Sequence, residues 1–204
     1  MELQQWRDKL SAHRPTLQGA RGEYAVLVPL VERSDGWHLL YEVRAAKLRH
    51  QPGEVCFPGG QMEPGETPVD CALRETREEL GVDAGQIEVL GQLDFVLRGQ
   101  SIVFPVLAHL RVDGLSALTV GPDEVAEVFT VPLQWLQEHP PELYRRTVPI
   151  RPADFPYDAV GVSSDYPWAP LGIEVPIYHG LSHPLWGLTA RITAHLVEQL
   201  DEKR

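Results

Sequence analysis

The chain has 204 residues and a formal net charge of −11. That length suits a domain of ordinary size with a sizeable buried core, and such an excess of acid excludes a protein that holds nucleic acid mainly by neutralising phosphates. Only Cys56 and Cys71 are present, without the paired spacing of a zinc site or a disulfide framework, and no apolar run is long enough to span a bilayer. With no leader-like h-region at the amino terminus, the expectation is a cytoplasmic protein with no nucleic-acid or membrane partner.

In chain order, residues 3–12 form a short amphipathic helix ending before Pro15, the core of an amino-terminal arm of about residues 1–14. "EYAVLVPLVE" and "GWHLLYEVR" read as buried strands joined by the turn "RSDG". Thr67 then caps a helix with Pro68 at its first position and Gly81 as its stop. On that helix Val69, Ala72, Leu73, Thr76 and Leu80 share one side, while Glu75, Glu78 and Glu79 gather on a neighbouring one. "QIEVLGQLDFVL" and "SIVFPVLAHLRV" are strand-like runs around a turn at Arg98, Gly99 and Gln100, and "EVAEVFTVPLQWLQEH" is a strand leading into a helix. Residues 151–173 read as a long loop, and a terminal helix occupies about 184–200, with Trp186 as a core anchor. The expected fold class is α/β (α+β): a mixed β-sheet sandwiched between helices, in a single domain covering 1–204.

The three glutamates admit two readings. A run of charge is usually a wet helix face. Like charges three and four apart nonetheless repel, and a hard divalent cation would turn the repulsion into coordination. The glycines of "CFPGGQMEPGE" allow backbone to approach an ion or a phosphate closely.

Gly60, Glu66, Arg74, Glu75, Thr76, Glu78, Glu79, Gly81 and Val82 resemble, position by position, the Nudix box of hydrolases that cleave diphosphates, with Thr76 where an aliphatic residue is usual. The resemblance implies a Nudix fold, Mg²⁺ or Mn²⁺ as cofactor, Glu75 and Glu79 as metal ligands, and Glu78 as a third ligand or a base. Arg74 is expected to orient Glu78, or to form a structural ion pair with Asp70 or Glu78. The loop "GPDEVAEVF" lies in a region from which members of the family supply a further glutamate, which by the resemblance makes Glu124 the candidate catalytic base; an exposed loop acid is the equal alternative. Upstream, "LLYEVRAAKLRHQPGEVCFPGG" resembles the motif preceding the box in coenzyme A diphosphatases of this family, with Ala45 replacing a serine and a histidine one place early, as His50. Arg44, Lys47 and Arg49, with Gly59 and Gly60, are the implied substrate-binding residues. Such basic groups equally suit a solubilising loop. The implied substrate is a coenzyme A-like nucleotide diphosphate, and the protein a monomer or homodimer. Rival readings are the same hydrolysis of ADP-ribose, dinucleotides or nucleoside triphosphates, and a non-catalytic nucleotide-binding module.

Overall fold

A computed structural model of the chain describes residues 3–13, 16–148, 154–168 and 171–201; Pro15 and part of the expected 151–173 loop lie outside them. The first strand, β1 (Gly22–Arg33), turns at Ser34 and Asp35 into β2 (Gly36–Arg44), and the two pair antiparallel as expected. Short strands β3 (Val55–Cys56) and β4 (Gly59–Gln61), too brief to be legible as periodic runs, pair with β2 and β1. After helix α2 (Pro68–Leu80) follow β5 (Ile87–Gln92), β6 (Val96–Arg98) and β7 (Ser101–Leu110). The run expected to be one strand is therefore broken at 93–95. β7 lies parallel to β1, with Gly22 opposite Ser101 and Leu30 opposite His109, and β8 (Val125–Pro132) pairs with the other edge of β2.

Nine residues of β1 and β2 from Leu27 to Tyr41 are buried, on one side or the other, because helices cover both faces of the sheet, so the strands read as mainly apolar runs rather than alternating ones. On one face α2 packs with Leu27, Leu40 and Val106; on the other, α3 (Leu133–Glu138) and α5 (Gly187–Leu200) pack with Leu39, Tyr41 and Val131 through Leu136, Ile192 and Leu196. Tyr41 lies between Phe57 and Phe129, with ring centroids 4.9 and 5.5 Å away, and its hydroxyl pairs with Thr193 at 3.0 Å. The amino-terminal helix α1 (Leu3–Ser11) buries no residue. Among the described residues no helix is long and apolar enough to cross a membrane.

The carboxyl-terminal third departs most from expectation. β9 (Glu142–Val148), β10 (Leu171–Tyr178) and β11 (Leu185–Trp186) form a separate three-stranded sheet, so the end of the expected loop is strand. Within that loop α4 (Tyr157–Val160) is a single turn, and Phe155 packs edge-on to Tyr157 and Trp168 at 4.9 and 5.1 Å. The terminal helix begins only at Gly187, and Trp186 is 45% exposed while Leu185 takes the core position. Alternation along β11 places neighbouring side chains on opposite faces, which a helical reading of residues 184–200 cannot show.

Helix α2 starts as its sequence dictates. Asp70 N–H donates to Thr67 Oγ1 at 3.2 Å and Thr67 N–H to Asp70 Oδ2 at 3.2 Å, a reciprocal cap, and Gly81 closes the helix in the left-handed region at φ 65°. Thr67→Ala removes one half of this exchange, with an expected loss of about 1 kcal/mol. In thermal melts the midpoint should fall by about 2–4 °C.

Candidate active site at the glycine loop and acidic helix

The site begins with β4. Pairing of Val26 with Gly59 and Ala25 with Gly60 pins the glycine pair against the central strand. A Cβ on Gly59 would lie 2.3 Å from the Ala25 carbonyl oxygen, and one on Gly60 would lie 2.3 Å from the Glu75 carboxylate. Only glycine permits both approaches. The chain then returns over α2, whose buried face includes Cys71, Ala72, Thr76, Leu80 and also Glu79. Thr76 Oγ1 donates to the Ala72 carbonyl at 2.7 Å, so the residue that departs from the aliphatic pattern is buried with its hydroxyl satisfied.

The three helix glutamates occupy different environments. Glu79 is 6% exposed and its Oε2 accepts the Gly59 N–H at 2.8 Å. Burial, with added repulsion from Glu75 and Glu124, pushes its carboxyl up to about 8 despite the Gly59 N–H and the Arg44 charge. Glu75 is partly buried and held by Arg74; burial raises its pKa against the pull of that guanidinium. Glu78 points outward, its side chain 60% exposed.

Arg74 meets Glu78 as expected, but its shorter contacts are with other acids. Its Nε and Nη2 grip both oxygens of Glu66 at 2.7 and 3.1 Å, and Nη1 reaches Glu75 at 2.7 Å. Glu78 is only a longer partner at 3.4 Å, and Asp70 is committed to the cap. A planar fork matches two carboxylates at once, so the box arginine fixes Glu75 through Glu66. The pairing holds Glu66 down at about 2.

Glu124 lies on the loop before β8. Its carbonyl accepts the Ala45 N–H at 2.8 Å, its side chain is exposed, and its charge acts on Glu42, Glu75 and Glu79. The same Ala45 contact ties in the basic turn. Arg44 Nε donates to the His50 carbonyl at 3.4 Å and its charge reaches Glu79, while Lys47 is paired with Asp123 and Arg49 is exposed. Gln51 adopts φ 53° and its side chain links Glu54 to Arg98, so the residue beside His50 shapes the turn. The structure therefore gathers Glu75, Glu79, Arg74, Gly59 and Gly60, with Glu124 and Arg44 at the rim, and leaves Glu78, Lys47 and Arg49 facing solvent.

A family model described as NUDIX domain matches residues 23–151. The chain belongs to the Nudix family. Nudix hydrolase 3 of Caenorhabditis elegans is 43% identical over 120 residues, 57% of this chain and 50% of that protein. Peroxisomal coenzyme A diphosphatase NUDT7 of Mus musculus is 39% identical over 135 residues, 65% of this chain and 56% of that protein. The chain thus spans about half the length of these two relatives. Mitochondrial coenzyme A diphosphatase NUDT8 of Homo sapiens is 34% identical over 198 residues, 95% of this chain and 76% of that protein. Among solved structures, a MutT/nudix family protein from Enterococcus faecalis matches with a TM-score of 0.52 at 19% identity, over 98% of this chain and 70% of that one. That likeness concerns the fold.

Sequence reasoning missed one acid of this Nudix site. Glu42 on β2 is 1% exposed, its Oε1 has no hydrogen-bond partner among the described residues, and burial with the Glu79 charge holds its pKa well above the carboxylate range. The available signal was a glutamate inside the apolar run "LLYEV". Among the described residues no three His, Cys, Asp or Glu side chains already stand as a ready-made metal cage.

Proposed function

We propose that this chain hydrolyses the diphosphate of coenzyme A or a derivative, giving adenosine 3′,5′-bisphosphate and 4′-phosphopantetheine or its acyl form, with Mg²⁺ or Mn²⁺ as cofactor. The observation that carries the substrate assignment is the 34% identity over 95% of the chain to a protein named coenzyme A diphosphatase. The basic turn beside the acid centre supports it, since guanidinium and ammonium groups suit a ligand bearing a diphosphate and a further phosphate.

The residues fit a hard divalent cation. Their donors are carboxylate oxygens, and Glu79 is a buried acid whose ionised form has little else to balance it than one backbone N–H and the Arg44 charge. Mg²⁺ keeps several waters and shares its shell with substrate phosphates, so one or two protein carboxylates are enough to hold it. Such an ion, when bound, neutralises phosphate oxygens and lowers the pKa of water.

The chain's own residues supply the rest. Glu75 and Glu79 are the ligands in this reading, with Arg74 fixing the orientation of Glu75 and the Gly59 N–H that of Glu79. Arg44, Lys47 and Arg49 hold phosphate oxygens from the turn side. Exposed Glu124, with its charge felt by both ligands, accepts the proton of the attacking water, whose oxygen ends on one phosphate as the P–O–P bridge breaks. Glu78, drawn toward Arg74, remains a peripheral ligand.

Steady-state rates on coenzyme A, ADP-ribose, a dinucleotide and a nucleoside triphosphate, each with Mg²⁺ and with Mn²⁺, test the substrate. Coenzyme A should give the largest kcat/KM. Faster turnover of ADP-ribose would transfer the assignment to that class while leaving the chemistry intact.

A further inference from the structure

We infer that Glu42 is an inner ligand of the divalent-cation centre, supplied by the strand β2 and not by the box. The inference rests on the cation reading of the site given above. Leu40 packs in the cluster with α2 while Tyr41 packs on the opposite face, so alternation turns Glu42 toward α2 and its acids. Its cross-strand neighbours are Cys56 on β3 and Val128 on β8. Neither supplies a good donor: the Cys56 thiol is 4.0 Å from Oε2, and Oε1 is buried with no partner among the described residues.

A carboxylate in that position is costly unless something compensates it. Removing a charged group's partner in the interior costs several kcal/mol, and an apolar residue of the same volume would ordinarily serve a core better. The charged groups that reach Glu42 are Glu79, Glu124 and Arg44. Two of the three are acids, so they make an unpaired carboxylate worse. Arg44 is itself directed to the His50 carbonyl at 3.4 Å. A cation seated against Glu79 would answer both the orphaned oxygen and the crowding of negative charge. The bland alternative is a neutral acid buried beside a thiol, with no bearing on metal.

The test is Mn²⁺ affinity of the full chain, measured by counting free Mn²⁺ with electron paramagnetic resonance after chelator treatment. Wild type, Glu42→Gln, Glu42→Leu and Glu79→Gln are compared. Leucine substitutes an apolar group of similar volume, so at least one variant at this position is free of a buried polar burden. If Glu42 is a ligand, both Glu42 variants bind Mn²⁺ at least about tenfold more weakly and lose most of the Mn²⁺-induced rise in melting temperature. Wild-type Mn²⁺ affinity in a folded Glu42 variant, with Glu79→Gln impaired, would overturn the inference and leave the cation reading standing. Wild-type affinity in all the variants would overturn both.

Discussion

Glu79→Gln should lower diphosphate hydrolysis by about three orders of magnitude, the scale on which a single group stabilising developing charge is felt, and should leave the fold intact. The amide keeps the shape of the side chain and an oxygen to accept the Gly59 N–H now bound at 2.8 Å. What it removes is the charge. The same substitution carries a second readout with the opposite sign. Glu79 loses its proton near 4.5 when unfolded and holds it to about 8 when folded. Between those values the folded state binds the extra proton, so the contribution to stability is full below about 4.5 and lost as pH rises toward 8. Metal-free wild type should therefore melt at progressively lower temperature across that window, and Glu79→Gln should show a flatter profile. Saturating Mg²⁺ should flatten the wild-type profile too, by stabilising the ionised acid. Unchanged turnover in the variant would remove Glu79 from the reaction. A variant melting curve with the wild-type pH slope would deny that its proton is the one responsible.

The two adjacent glycines should fail in different ways. At Gly59 a Cβ would stand 2.3 Å from the Ala25 carbonyl oxygen and 2.6 Å from Val26 Cα, both backbone atoms of the central strand. Neither can yield without moving β1, so Gly59→Ala should cost about 3 kcal/mol and lower the melting temperature by about 10 °C. At Gly60 the obstacle is the Glu75 carboxylate at 2.3 Å, the free end of a side chain. Glu75 can swing away, abandoning its 2.7 Å bond to Arg74. Gly60→Ala should therefore keep its stability within about 1 kcal/mol of wild type and lose about a hundredfold in kcat, the effect of a small misplacement of a reacting group. Melting curves and single-turnover rates on both variants decide this. Equal loss of stability would mean that the glycine pair serves the sheet alone.

Much of this was legible before any coordinates. The cap at Thr67 and the stop at Gly81 follow from local backbone chemistry, and the strand pair before the box follows from apolar runs joined by a turn. The environments of the three glutamates were not, because helical spacing fixes angles about an axis and says nothing of what covers each direction. Glu79 is buried and tied to β4 through the Gly59 N–H, and β4 is three residues long. Glu42 was overlooked although it is a lone acid in an apolar run: on a strand buried on both faces the pattern does not say which acid is itself buried. The four-residue spacing showed the Arg74–Glu78 pair but not the closer partner, Glu66, which precedes the helix. The sheet made by β9 to β11 was missed because β10 carries Pro176 and apolar side chains such as Leu143, Tyr144 and Ile173 are exposed, without a regular alternation of apolar residues.

The parallel pairing of β1 with β7 sets an order of events during synthesis. Everything from the hairpin turn through the acidic helix lies inside the excursion that this pairing closes, and Glu124 emerges only after it. A chain halted before β7 would lack the parallel partner of β1, the strand against which the glycines lie. Long-range closure of this kind is slow compared with helix growth. The glycines lie against a strand whose far edge β7 completes, and Glu124 joins them only with β8, so the site draws on both closures.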